Sequence, residues 1–221
     1  MSERRNRRPL LIRFFRHYLA DEDSARFISE VSQHYTISSL ERLAEFGSRT
    51  TRRGATLALG YLGDYQCNQV LGRRMNDEDR SVRLLAENGI RELWCRDGNT
   101  QQRDWLQRIM RLNRSNQYSV AVTEGTALIE EAPWFAEAWN QRAISHYYLA
   151  HYRDAANDCH QTLELNPYHY AAAVGMAHCY LEMDEARSAL ECFRRAIKLN
   201  PDLEDVRTRI SFLRQALKEE K

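Results

Sequence analysis

Seven histidines and five cysteines are the side chains here best suited to hold a metal or to attack a substrate. Cys159 adjoins His160, and His178 adjoins Cys179, with His151 and His169 nearby. Structural zinc needs four such ligands, delivered as close pairs at set spacings, and no two cysteines stand as C-x-x-C. A Cys/His nucleophile would need a polarising partner, and no sequence feature marks one. Cys159 also stands 34 residues before Phe193, which points to a packing role. The acid runs Asp21-Glu22-Asp23 and Asp77-Glu78-Asp79 could suggest acid–base work or calcium. Each lies just before a segment of helical periodicity, where a carboxylate caps free N–H groups. The sequence contains no G-x-x-x-x-G-K, G-x-G-x-x-G, H-E-x-x-H or G-x-S-x-G. The expectation is a non-enzyme with no catalytic residue, no metal ligand, no cofactor and no small-molecule substrate.

Such side chains must be carried by helices. The 221 residues are 43% hydrophobic and 29% charged, with only four prolines and nine glycines to punctuate sheets or long loops. The net charge of +1 gives no global pull toward nucleic acid or an anionic membrane. Five cysteines, an odd count, fit free thiols in a reducing compartment, and a cytoplasmic location is expected. No apolar run approaches the roughly 18 residues of a membrane span. Arg13 and Arg16 interrupt the stretch where a signal peptide would need its apolar core.

Pro133, Pro167 and Pro201 are spaced 34 residues apart. Leu165-Asn166-Pro167 returns as Leu199-Asn200-Pro201, Ala155 as Ala189, Trp105 as Trp139 and Tyr118 as Tyr152. A 34-residue period is that of a helix–turn–helix repeat, in which small residues let helices cross and aromatics fill the gaps beside them. In these residues the chain resembles the tetratricopeptide repeat (TPR) family. The resemblance divides residues 102–221 into three motifs, 102–135, 136–169 and 170–203, followed by a capping helix with Val206, Ile210, Leu213 and Leu217 at helical spacing. In the first motif, Gly125 and Thr126 depart from the apolar residues the family prefers.

A shorter period precedes it. Arg52-Arg53-Gly54-Ala55 and Arg83-Leu84-Leu85-Ala86 stand 31 residues apart, the second after the Asp-rich Asn76–Asp79. This resembles short HEAT-like repeats of the phycobilin-lyase type over residues 38–95, with helices near Ser38–Phe46 and Cys67–Arg74. Helices near Leu10–Leu19 and Ser24–His34 would form a diverged N-terminal cap, which with these repeats makes up residues 1–96. The turn Arg96–Thr100 would separate the two parts. The fold class expected is all-α: an α-solenoid of stacked antiparallel helix pairs, HEAT-like and then TPR.

The TPR resemblance implies a protein-interaction scaffold that takes a partner peptide or helix in a groove lined by the first helix of each motif. By register those residues are Arg103, Leu106, Met110, Asn113 and Arg114; then Glu137, Asn140, Ile144, Tyr147 and Tyr148; then Ala171, Val174, His178, Leu181 and Glu182. One TPR subtype clamps a C-terminal carboxylate with paired Lys and Asn. Leu106, Met110, Asn140 and Ile144 occupy most of those places, so that clamp is not expected. Two other readings remain. HEAT-like repeats of this type occur in phycobilin lyases, which would make the chain an enzyme or accessory handling a bilin. Alternatively Arg4, Arg5, Arg7 and Arg8, ahead of the stripe Leu10, Leu11, Phe14, Phe15, Tyr18 and Leu19, could meet nucleic acid or an anionic surface. The preferred reading packs that stripe on Phe27, Ile28 and Val31. The sequence does not settle the oligomeric state.

Overall fold

The computed structural model describes residues 9–219. The arginines at 4, 5, 7 and 8 lie outside them. Among the described residues there are thirteen α-helices, one 3-10 turn and no strand. The chain is an all-α protein of stacked helix pairs, in two compact units that meet in sequence between Leu93 and Trp94.

The first unit contains α1 (Leu10–Asp21), α2 (Ser24–Ser32), α3 (Ile37–Phe46), α4 (Arg49–Leu62), a 3-10 turn (Tyr65–Cys67), α5 (Asn68–Arg74) and α6 (Arg80–Trp94), whose last residue, Trp94, belongs to the second unit. Helix α1 runs two residues past the expected Leu19, while α2 stops at Ser32, short of His34. Leu11, Phe14 and Phe15 are buried, and Tyr18 meets the Phe27 ring at 5.4 Å. Most of the apolar stripe of α1 is therefore consumed internally, although Leu10 and Leu19 stay exposed. Asp23 and Asp79 cap α2 and α6, accepting from the Arg26 and Val82 N–H groups at 2.9 and 3.1 Å.

Asp79 also receives both arms of Arg53 from α4, at 2.8 and 2.7 Å. Its neighbour Asp77 is buried and accepts from Arg52 and Arg74, each at 2.9 Å. The acid run thus ties the α5–α6 turn to α4. Helices α4 and α6 touch backbone to backbone at Gly60 and Gly89. A Cβ on Gly89 would stand 2.8 Å from the Gly60 Cα, so only hydrogen fits between them.

The second unit contains α7 (Thr100–Arg114), α8 (Tyr118–Glu131), α9 (Ala136–Tyr148), α10 (Tyr152–Leu165), α11 (Tyr170–Glu182), α12 (Ala186–Leu199) and α13 (Glu204–Glu219). From α7 to α13 each helix packs on the next, and α9 also touches α7 and α11. Ala121, Leu128, Ile109 and Phe135 fill the first pair, and Ala177, Ala189, Phe193 and Val206 the last.

The 34-residue period is written into the backbone. Within the pairs, Asn116, Ala150 and Asp184 take left-handed φ values of 60°, 60° and 59°. Around them Gln117, His151 and Glu185 donate back to Leu112, His146 and Tyr180 at 2.9, 2.9 and 2.8 Å. This is the six-residue closure of a Schellman turn, made three times. Between pairs, Asn166 and Asn200 are extended, as a following proline requires. Their buried side chains accept from the Tyr168 and Asp202 N–H groups at 3.2 and 3.1 Å.

Candidate interaction groove

A cavity of roughly 620 Å³ opens between α9, α11 and α13. The residues that make it are small. Ala143 on α9 and Ala171 and Gly175 on α11 leave the space, and Cys159 and Cys179 lie beneath it. A Cβ on Gly175 would reach the Cys159 Sγ at 3.3 Å, so a larger residue there would fill the floor. The walls are apolar and aromatic, from Ile144, Tyr147, Tyr148 and Leu181. Charge comes from Glu182 and from Arg209 on the capping helix.

The aromatic wall is a connected cluster. Tyr148 is exposed and stacks on Tyr118 at 4.7 Å and 11°. Tyr147 meets Tyr148 and Tyr152 edge-on, at 5.7 and 5.5 Å, and its hydroxyl donates to Glu182 at 3.3 Å. Burial, then the Glu182 carboxylate, pushes the Tyr147 phenol above its ordinary range, so it stays a donor at neutral pH. His178 stands edge-on to Phe193 at 5.3 Å. Burial lowers its pKa, and Arg209 lowers it further against the opposing pull of Glu182. The imidazole facing the cavity is therefore neutral at pH 7.

Of the residues assigned to a groove by register, Asn140, Ile144, Tyr147, Tyr148, Ala171, His178, Leu181 and Glu182 line this cavity. The rest lie elsewhere. Leu106 is completely buried in the core of α7 and α8, and Met110 leans on the same core. Val174 is packed between the cores of the second and third pairs. Arg103 donates to the Gly98 carbonyl at the start of α7, and Arg114 is exposed at its end.

Asn113 and Glu137 are buried in a hydrogen-bonded spine that runs through three helices. Asn113 donates to the backbone and side-chain oxygens of Gln141 at 2.9 and 3.1 Å and accepts from Ser145 at 2.6 Å. Gln141 donates to Glu137 at 2.7 Å, and Asn140 donates to the same oxygen at 3.1 Å. The other Glu137 oxygen lies 2.9 Å from His169 Nε2. His169 Nδ1 accepts from the Ala172 N–H at 3.0 Å, so Nε2 carries the proton and donates. Burial raises the Glu137 pKa, but its three donors, His169 first, outweigh that and hold it below the ordinary value. Trp94 stacks on the His169 ring at 4.0 Å.

Gly125 and Thr126, which depart from the family pattern, make room for Arg142. A Cβ on Gly125 would stand 3.2 Å from the Arg142 Cβ, and Thr126 Oγ1 accepts from its guanidinium at 3.0 Å. The two remaining arms of Arg142 grip Asp158, each at 2.8 Å. Arg209 was missed by register because its helix was assigned to capping. Gly175 was missed because a lone glycine in a helix carries no signature of a cavity floor.

The family described as tetratricopeptide repeat matches residues 150–209. A TPR repeat-containing protein of Rhizobium etli is 24% identical over 148 residues, covering 66% of this chain and 70% of that protein. The Bos taurus Protein SGT1 homolog is 36% identical over 80 residues, 36% of this chain and 24% of that relative. Among solved structures, the first TPR of Spaghetti (RPAP3) bound to an HSP90 peptide, SRMEEVD, superposes with a TM-score of 0.52. It is 16% identical and covers 55% of this chain and 96% of that one. The first TPR domain of human RPAP3 gives a TM-score of 0.52 at 17% identity, with the same coverage. At this identity the likeness is one of fold, an α-solenoid of TPR type.

Proposed function

We propose that the chain is a protein-interaction scaffold whose second unit seats a peptide segment of a partner protein between α9, α11 and α13. The observation that carries this reading is the cavity itself. It has a floor of small residues, an aromatic wall with Tyr148 exposed, and one cation and one carboxylate among its lining residues. An apolar side chain of the peptide fits over Ala143, Ala171 and Gly175, and an acidic neighbour meets Arg209. Peptide recognition by a helical groove works through such apolar anchors, with charge setting register. The Spaghetti TPR, similar in fold, is seen with a bound peptide. Carboxylate clamping is not part of the proposal, because the Asn140 amide is committed to Glu137.

The first unit belongs to the same proposal as a HEAT-like part. Its support is the 31-residue offset of Arg52 and Arg83, both of which reach the Asp77–Glu78 turn: Arg52 at the Asp77 carboxylate, and Arg83 at the Asp77 carbonyl at 3.0 Å.

The test is selection of displayed peptides on the intact chain, followed by affinity measurement. Ala171→Leu, which intrudes from an exposed position, and Tyr148→Ala should each weaken the selected peptides at least tenfold, with helical circular dichroism unchanged. Arg114→Glu, outside the cavity lining, should bind as the parent does. Equal affinity across all four proteins would overturn the groove assignment.

A further inference from the structure

We propose a zinc-class metal site at the turn between α9 and α10, formed by His146, His151 and Asp154. These three offer ligand atoms that all lie within 4.8 Å of one another. The imidazoles face each other through Nδ1, 3.4 Å apart. Two nitrogens each about 2.0–2.1 Å from a four-coordinate zinc stand about 3.3–3.4 Å apart across a tetrahedral edge. The pair is thus spaced as ligands of one ion, and it is longer than a good imidazole–imidazole hydrogen bond.

The backbone preorganises the pair. His146 and His151 are the two ends of a Schellman closure, joined by the 2.9 Å bond from the His151 N–H to the His146 carbonyl around left-handed Ala150. That position usually carries an apolar contact; here it carries two imidazoles. Asp154 follows one turn later, in the first turn of α10, on an exposed side chain free to rotate toward them. His151 caps α10 without spending its ring on a cap bond.

Asp158 is not a competing ligand, because both its oxygens are held by Arg142. The site therefore supplies two nitrogens and one carboxylate, and its outer face leaves a fourth position for water or an incoming donor. Bound metal would link the end of α9 to the start of α10, beside the Tyr147–Tyr148 wall of the groove. Sequence spacing conceals the set, because H-x-x-x-x-H-x-x-D becomes a cluster only when a left-handed residue folds the second histidine back.

The experiment uses the full, untagged chain, freed of metal and titrated with Zn²⁺ by calorimetry and with Co²⁺ by visible absorption. One equivalent should bind, with four-coordinate cobalt bands lacking thiolate charge transfer, and zinc should raise Tm. His151→Ala and Asp154→Asn, both exposed, should fold normally and lose at least tenfold in affinity. His160→Ala, on the same helix, should bind as the parent. Binding that survives in His151→Ala, or a cobalt spectrum showing thiolate charge transfer, would place the ion elsewhere and overturn the site. An absence of saturable binding by the parent chain would overturn it as well.

Discussion

Asp79 caps α6 through the Val82 N–H and at the same time takes two bonds from Arg53 of α4. Arg53 does most to hold its carboxyl down, to about 2, against the upward push of burial. A carboxylate depressed below its unfolded value, about 3.9, stabilises the fold in full above pH 4. That contribution fades as the pH falls toward 2. Asparagine caps a helix as well as aspartate does, so Asp79→Asn removes the charge and keeps the cap. The variant should lose about 1 kcal/mol at pH 7, a modest figure because Arg53 remains a third exposed and water screens the pair. The urea midpoints of parent and variant should differ at pH 6 and converge below about pH 4. A gap that stays constant with pH would show that the Arg53 contact does not depend on ionisation.

At the scale of the element, the helix–turn–helix period was readable because proline and asparagine recur at its outer turns. The inner turns were not readable, although they repeat as strictly. Their left-handed residues are Asn116, Ala150 and Asp184, and glycine, the usual marker, is absent from all three. Asparagine and aspartate tolerate that conformation; alanine does so at a cost of about 1 kcal/mol. Ala150→Gly should therefore stabilise the second unit by about 0.5–1 kcal/mol, the glycine's extra unfolded-state freedom offsetting part of the gain. A thermal melt read at the second unit should shift upward by a few degrees, whereas Asn116→Gly should change little. The cavity offered as a candidate groove was legible to the same extent and for the same reason. The period gives the register of α9 and α11, which sets Ile144, Tyr147, His178 and Leu181 beside the cavity. It does not tell which flank of a helix faces solvent and which is covered by the helix before it. Asn113 and Glu137 sit on the covered flank.

Across the whole molecule, stability in a stack of helix pairs is close to a sum of neighbour interfaces. The hydrogen-bonded spine from Asn113 through Gln141 and Glu137 to His169 changes that sum in the second unit. It joins α7, α9 and the start of α11 through polar atoms that are almost fully buried. Replacing His169 by alanine removes the α11 cap, the donor that satisfies the Glu137 carboxylate, and the ring beneath Trp94. An uncompensated buried charge in such a network costs about 3–5 kcal/mol. The loss should spread along the spine instead of staying at the substituted turn. Amide exchange should accelerate in α9 and the first turns of α11, and less strongly in α7, while α3 to α5 in the first unit keep their protection. A second substitution, Glu137→Gln, separates charge from packing. It should recover much of the stability lost in His169→Ala, because the neutral amide no longer needs a donor to balance it. If the double variant is no more stable than His169→Ala, the spine holds the helices by packing alone and the buried carboxylate is not its centre.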